Sequence, residues 1–175
     1  MSDGNLGAAR LLVFRVGTLA CAAEVDQVRE ILPRLPTTRI PGAPPVVEGL
    51  ANVRGTLVTV VDGWRALGQE RQPDPLAPPP APPGPSGASP TSSTIILEVP
   101  AGATQKLVGF TVDEVLDMLG TSGADTALED RSALPGVDPK MVRAVGRRSG
   151  GGELFIVLDV AALLGPIVTT RGAKR

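Results

Sequence analysis

The chain has no histidine and no tyrosine, a single cysteine, and aromatic residues at only 2% of its 175 positions. Without histidine it lacks the usual general base near neutral pH and the commonest metal ligand. Cys21, alone, forms neither an internal disulfide nor a thiolate metal cluster. It suits a reducing compartment and reads as a small buried apolar residue. With three Phe and one Trp, the core must be built from Val, Leu, Ile and Ala. Seventeen Lys and Arg face eighteen Asp and Glu, for a net charge of −1, so the basic stripe of a nucleic-acid binder is missing. The short basic tail, Arg171 to Arg175, reads as a solvated terminus. No apolar run is long enough to span a bilayer, and the polar start, Met1 to Asn5, does not look like a secretory leader. These absences lead to the expectation of a cytoplasmic protein with no metal, no cofactor, no nucleic acid and no direct membrane insertion.

What is present is a repeat. Val25-Asp26-Gln27-Val28-Arg29-Glu30-Ile31-Leu32 is echoed 87 positions on by Val112-Asp113-Glu114-Val115-Leu116-Asp117-Met118-Leu119. Leu57-Val58-Thr59-Val60-Val61-Asp62 is echoed 97 positions on by Leu154-Phe155-Ile156-Val157-Leu158-Asp159. Two blocks recurring in one order at nearly one offset mean two versions of a supersecondary unit. Asn52-Val53-Arg54-Gly55 has no second copy. Half of the chain's 18 prolines fall between Arg71 and Ser93. That composition reads as an exposed, partly polyproline-II insertion over 71–93, either a spacer or a ligand for a proline-binding module.

Alternation and turn residues predict strands over Leu11–Val16, Leu19–Ala23, Leu57–Val61, Thr94–Val99, Lys106–Val112, Met141–Gly146 and Leu154–Leu158. Val46–Val53 is apolar but ambiguous. The spacing of Val25, Val28, Ile31 and Leu32 predicts a short helix stopped by Pro33, and Asp113–Leu119 is expected to be helical too. A further helical turn is expected around Ala127–Arg131, and short helices over Trp64–Leu67 and Val160–Leu164, capped by Asp62 and Asp159. Short strands, tight turns and minor helices argue for two small β-barrels, not a parallel sheet.

Catalysis has poor raw material. A nucleophilic Ser or Cys would lack its histidine, and Asp62 and Asp159 read as helix caps more readily than as a catalytic carboxylate pair. Arg147 to Gly152 resembles a phosphate loop only superficially: no Lys-Ser/Thr follows, and it leads into a strand. The expectation is that the chain is not an enzyme. At Asn52-Val53-Arg54-Gly55, the Asn can hold a turn, Gly55 permits φ > 0 and Arg offers a planar fork. Such a corner is either a structural turn or a rigid mount for Arg54.

In order, the residues Leu12 to Gly17, Val25 to Leu32, Pro41 to Pro45, Gly49 to Gly55, Val60-Val61-Asp62 and Val108 to Val115 resemble the CheW-like domain of bacterial chemotaxis adaptors, across roughly Leu11 to Gly165. The resemblance implies a mainly β fold of two five-stranded, SH3-like barrel subdomains with short helices. It suggests a single domain over 8–170 with flexible tails at 1–7 and 171–175. It also implies a non-catalytic adaptor that links the cytoplasmic tips of methyl-accepting chemoreceptors to the regulatory domain of a CheA-type histidine kinase. The partner-binding surface it implies comprises Val28, Glu30, Asn52, Val53, Arg54 and Gly55, with a Glu30–Arg54 ion pair orienting the arginine. Gly63-Trp64 stands where similar chains often have Leu-Arg, and Val53 where they commonly have Leu. The alternative reading is therefore a divergent scaffold of the same fold that binds a receptor or another signalling protein but not the kinase.

Overall fold

The computed structural model describes residues 9–69, 92–121, 126–129, 137–148 and 152–169. Most of the proline-rich stretch, both tails and the glycine-rich residues 149–151 lie outside them. Eleven strands dominate: β1 Arg10–Val16, β2 Leu19–Glu24, β3 Val28–Pro33, β4 Val47–Val53, β5 Thr56–Asp62, β6 Ser93–Ala101, β7 Thr104–Val112, β8 Glu114–Gly120, β9 Thr126–Glu129, β10 Val142–Arg148 and β11 Leu154–Leu158. Two helices, α1 Gly63–Ala66 and α2 Val160–Thr169, follow β5 and β11. Their caps are the two expected aspartates. Asp62 Oδ1 accepts from the Trp64 N–H at 3.0 Å, and Asp159 Oδ1 accepts from the Ala162 N–H at 3.0 Å.

One sheet has the order β8-β1-β2-β11-β10-β9 and the other β3-β6-β7-β5-β4. With the short β9 set aside, the orders match. An edge strand pairs with a hairpin, the hairpin makes a parallel step, β2 to β11 or β7 to β5, and an antiparallel pair closes the sheet. This is the duplication seen in the sequence, with an exchange. The β1–β2 hairpin of the first repeat lies with β10 and β11 of the second. The β6–β7 hairpin of the second repeat lies with β4 and β5 of the first. The mainly β, SH3-like fold class holds, but neither subdomain consists of a single repeat.

Two expected helices are strands. Val25–Gln27 makes one 3-10 turn, and Val28–Pro33 then alternates between half-buried and exposed as β3. Asp113 to Leu119 is β8 in all but its first residue. Apolar runs this short cannot separate a period of 3.6 from one of 2. The pairing of β3 with β6 shifts register between Val28 and Glu30, yet burial still alternates, with Val28 half-buried and Ile31 exposed. Of the helical turn expected around Ala127–Arg131, residues 127–129 belong to β9, which pairs with β10 as an edge strand, and residues 130–131 lie outside the described ones. The last helix runs past the expected Leu164, carrying Pro166 inside it.

The main core lies between the sheets. Leu12, Phe14, Val16 and Cys21 from one meet Ile95, Leu97, Val108 and Phe110 from the other, with Leu163 and Leu164 of α2. Phe14 and Phe110 meet edge to face, centroids 6.0 Å apart, a contact contributing about 0.5–1.5 kcal/mol beyond its buried area. Two smaller clusters lie on the opposite faces: Leu11, Val13, Ala20, Ala22, Phe155 and Val157 in one sheet, and Val53, Val58 and Ile96 in the other. Aliphatic packing on both faces explains why β2, Leu-Ala-Cys-Ala-Ala-Glu, is buried without polar alternation.

Candidate functional site

The β4–β5 hairpin turns on two residues, because Val53 pairs with Thr56. Its central positions, Arg54 at φ 51° and Gly55 at φ 85°, are both left-handed. This is the turn sense that matches the twist of flanking strands. Arg54 is the one non-glycine residue with positive φ among the described residues. Asn52 Oδ1 accepts the Gly55 N–H at 2.8 Å and ties the turn down. Arg54 Nη2 donates to Glu30 Oε2 at 3.0 Å, so the expected ion pair is present.

That pair crosses the sheet's two edges, since β3 and β4 are terminal in the strand order. A second pair, Arg34 to Glu48 at 2.5 Å, does the same just beyond β3. Together they curl the sheet toward a barrel. The Arg54 side chain is 81% exposed and Glu30 only 23%, so the corner shows solvent a guanidinium whose carboxylate is tucked behind it.

The six residues expected at the surface divide by burial. Asn52, Arg54 and Gly55 are exposed, Glu30 and Val28 are half-buried, and Val28 packs against the inter-sheet core. Val53 is 7% exposed and packs on Val58 and Ile96. It supports the corner from beneath and offers no surface of its own.

Directly after the corner in the chain lies a groove of about 690 Å³. Its walls are the Ile40–Pro44 loop, Leu57 and Thr59 of β5, Lys106 to Val108 of β7, and Ile167 and Val168 of α2. Leu57 is 69% exposed. No acidic residue lines the groove. Leu57 looks like a strand-core residue in sequence, and nothing there tells that α2 extends far enough to bring Ile167 opposite it.

Asp62 and Asp159 cap different helices. Among the described residues no group of three metal-ligating side chains converges. Cys21 is buried, and burial pushes its thiol up to about 12, far from the thiolate a nucleophile needs.

A model of the CheW-like domain matches residues 10–167. The chain belongs to the CheW-like domain family. It is 32% identical over 119 residues to a chemotaxis protein CheW of Rhizobium meliloti, covering 68% of the chain and 65% of that protein. It is 30% identical over 115 residues to a probable chemotaxis protein CheW of Rhizobium etli, covering 66% of the chain and 63% of that protein. The match thus spans less than two thirds of either relative. The crystal structure of the scaffolding protein TtCheW from Thermoanaerobacter tengcongensis superposes with a TM-score of 0.69 at 20% identity, over 90% of the chain and 93% of that protein. The CheW-like fold of two packed sheets is therefore shared at low identity. Among the described residues, no helix is long and apolar enough to cross a membrane.

Proposed function

We propose that this CheW-like chain is a non-catalytic, cytoplasmic chemotaxis adaptor that couples the tip of a methyl-accepting chemoreceptor to the regulatory domain of a CheA-type histidine kinase. The observation carrying the receptor half of the reading is the Glu30-braced, outward Arg54, whose turn leads directly into Thr56 and Leu57 of the groove. A rigid cation beside unfilled apolar surface suits a helical partner with an apolar stripe and a carboxylate, because a guanidinium fork recognises carboxylates in plane and apolar burial supplies the affinity. Family membership supports the kinase half. We read one domain over 8–170; the building of each sheet from strands of both repeats supports a single unit.

The test is direct binding of the purified chain to an immobilised receptor tip and, separately, to a kinase regulatory domain. Both should bind, and Arg54→Glu should lose the receptor while keeping its thermal melt. Receptor binding unchanged in Arg54→Glu removes the corner from the reading. Receptor binding without kinase binding leaves the divergent scaffold.

A further inference from the structure

We propose that the end of α2, from Gly165 to Thr169, is a strap that winds onto a partner seated in the Leu57 groove, so that binding there and the winding of this last turn strengthen each other. The residues of the turn carry the first step. Gly165-Pro166-Ile167-Val168-Thr169 contains none of the good helix formers. The glycine costs backbone entropy, the proline brings no N–H for the Ala162 carbonyl and crowds it, and the three β-branched side chains lose rotamer freedom. The residue before a proline is also turned away from the helical region. The duplication sharpens the contrast. Leu67-Gly68 in the first copy corresponds, 97 positions on, to Leu164-Gly165 in the second. In the first copy α1 stops there, with Gly68 left-handed at φ 66°. In the second the helix passes the same signal and runs on to Thr169.

What holds this turn helical is packing. Ile167 and Val168 are half-buried and lie against the margin of the inter-sheet core, while Pro166 beside them is exposed. So short a piece of helix draws its stability from such contacts and not from propensity. The same two side chains form a wall of the groove; the others come from the Ile40–Pro44 loop, β5 and β7. Both side chains stay partly open toward the groove, so an apolar partner there covers them further. Only the wound turn offers that burial, and a ligand shifts an equilibrium by its differential affinity for the two states. A segment with poor propensity, one backbone hydrogen bond missing and two half-buried anchors is among the first to open in a folded chain. The inference rests on the receptor reading, which seats the apolar stripe of a receptor-tip helix in this groove. It adds that the affinity is scaled by the fraction of chains whose last turn is wound. The coupling is reciprocal: whatever winds the turn tightens the partner, and the partner winds the turn.

Amide hydrogen exchange on the full chain, with and without a saturating receptor tip, tests it. Without the tip, the amides of Ile167, Val168 and Thr169 should be roughly tenfold or more less protected than that of Leu163, whose N–H donates to the Asp159 carbonyl at 2.9 Å. The tip should raise their protection about tenfold, and Arg54→Glu, which loses the tip, should show no rise. Gly165→Ala combined with Pro166→Ala supplies helix formers: a Cβ at Gly165 meets nothing within 4 Å, and Pro166 is exposed. This double variant should protect the three amides without the tip and tighten tip binding about fivefold, the factor that follows if about one chain in five is wound. Gly165→Ala alone, with a smaller gain in both, carries the test if the double variant does not fold. Three outcomes overturn the strap and leave the receptor reading standing: amides as protected as Leu163 without the tip, a tip that binds without protecting them, or a variant that protects them and binds no tighter. A chain that binds no receptor tip overturns both.

Discussion

Replacing Arg54 with glycine should cost almost no stability and abolish receptor binding, while alanine should abolish binding at a measurable cost in stability. The reasoning starts from φ 51° at Arg54. A left-handed conformation costs a residue with a Cβ about 1–2 kcal/mol. Glycine removes that cost but gives the unfolded chain more freedom, a loss of about 0.5–1 kcal/mol. Losing the exposed pair with Glu30 costs about 0–1 kcal/mol. The terms nearly cancel for glycine, leaving it within about 1 kcal/mol of the wild type. Alanine keeps the left-handed strain and loses the pair, so it should fall about 0.5–1 kcal/mol below glycine. For a chain of this size that difference is about 1–4 °C in Tm. Paired thermal melts and receptor-tip binding on the three proteins make the assay. If alanine proves as stable as glycine, the turn is not left-handed at Arg54. If glycine still binds, the guanidinium is not the recognition group, and attention moves to Leu57 and the groove.

Three other outcomes are expected. Gly63→Ala should destabilise the chain by about 3 kcal/mol, the upper end of overpacking costs, because a Cβ there would lie 2.2 Å from the Thr111 carbonyl oxygen; a urea melt reads this directly. Cys21 should resist thiol reagents in the native state, and stability should decline as pH rises from the ordinary thiol value of 9.0 toward about 12. The sign follows because the folded chain holds a proton that the unfolded chain has released; at most this amounts to about 1.4 kcal/mol per pH unit, and comparing urea melts of wild type and Cys21→Ala at pH 8 and pH 10.5 isolates it. Residues 9–69 expressed alone should give no cooperative melt, since β1 and β2 would lack β11 and β5 would lack β7; a cooperative transition in that fragment would show that the exchange of hairpins is not needed for folding.

Much of this architecture can be read from the residues. Gly17 marks the first hairpin, Asp62 and Asp159 mark the helix starts, and the recurrence of Val-Asp-x-Val and of Leu-x-x-x-x-Asp reveals the duplication. The Glu30–Arg54 pair followed from the family resemblance, and Asn52 with Gly55 announced the turn that mounts it. Less legible was anything that depends on which strands become neighbours. Val28 to Pro33 and Glu114 to Gly120 look amphipathic at helical spacing because each is a short edge strand that also carries an apolar residue on its exposed face, Ile31 and Met118. The Leu57 groove is hidden for a similar reason. Its walls come from a loop, two strands and a helix brought together only by the exchanged topology. The same limit conceals the Asp117–Arg148 pair: the repeat predicts the acid, but its arginine partner lies on a strand with no counterpart motif.

The exchange also bears on how a ligand at the corner could be felt elsewhere. Glu30 and Arg54 stand at opposite ends of a sheet whose middle strands, β6 and β7, belong to the second repeat. Any change in their separation must be taken up by that hairpin. β7 then runs directly into Asp113, whose Oδ1 accepts from Trp64 Nε1 at 3.0 Å and whose Oδ2 accepts from the Gly17 N–H at 2.6 Å. Gly17 belongs to the other sheet, where a Cβ would lie 2.9 Å from the Trp64 ring. One carboxylate thus holds the crossover between sheets against both of them, immediately before β8 begins. The chain of contacts from the Arg54 corner to the β8 edge passes through hydrogen-bonded strands and this clamp, with no flexible linker between. The Asp113 carboxylate and the strands it joins therefore hold the two sheets in a fixed relation to one another.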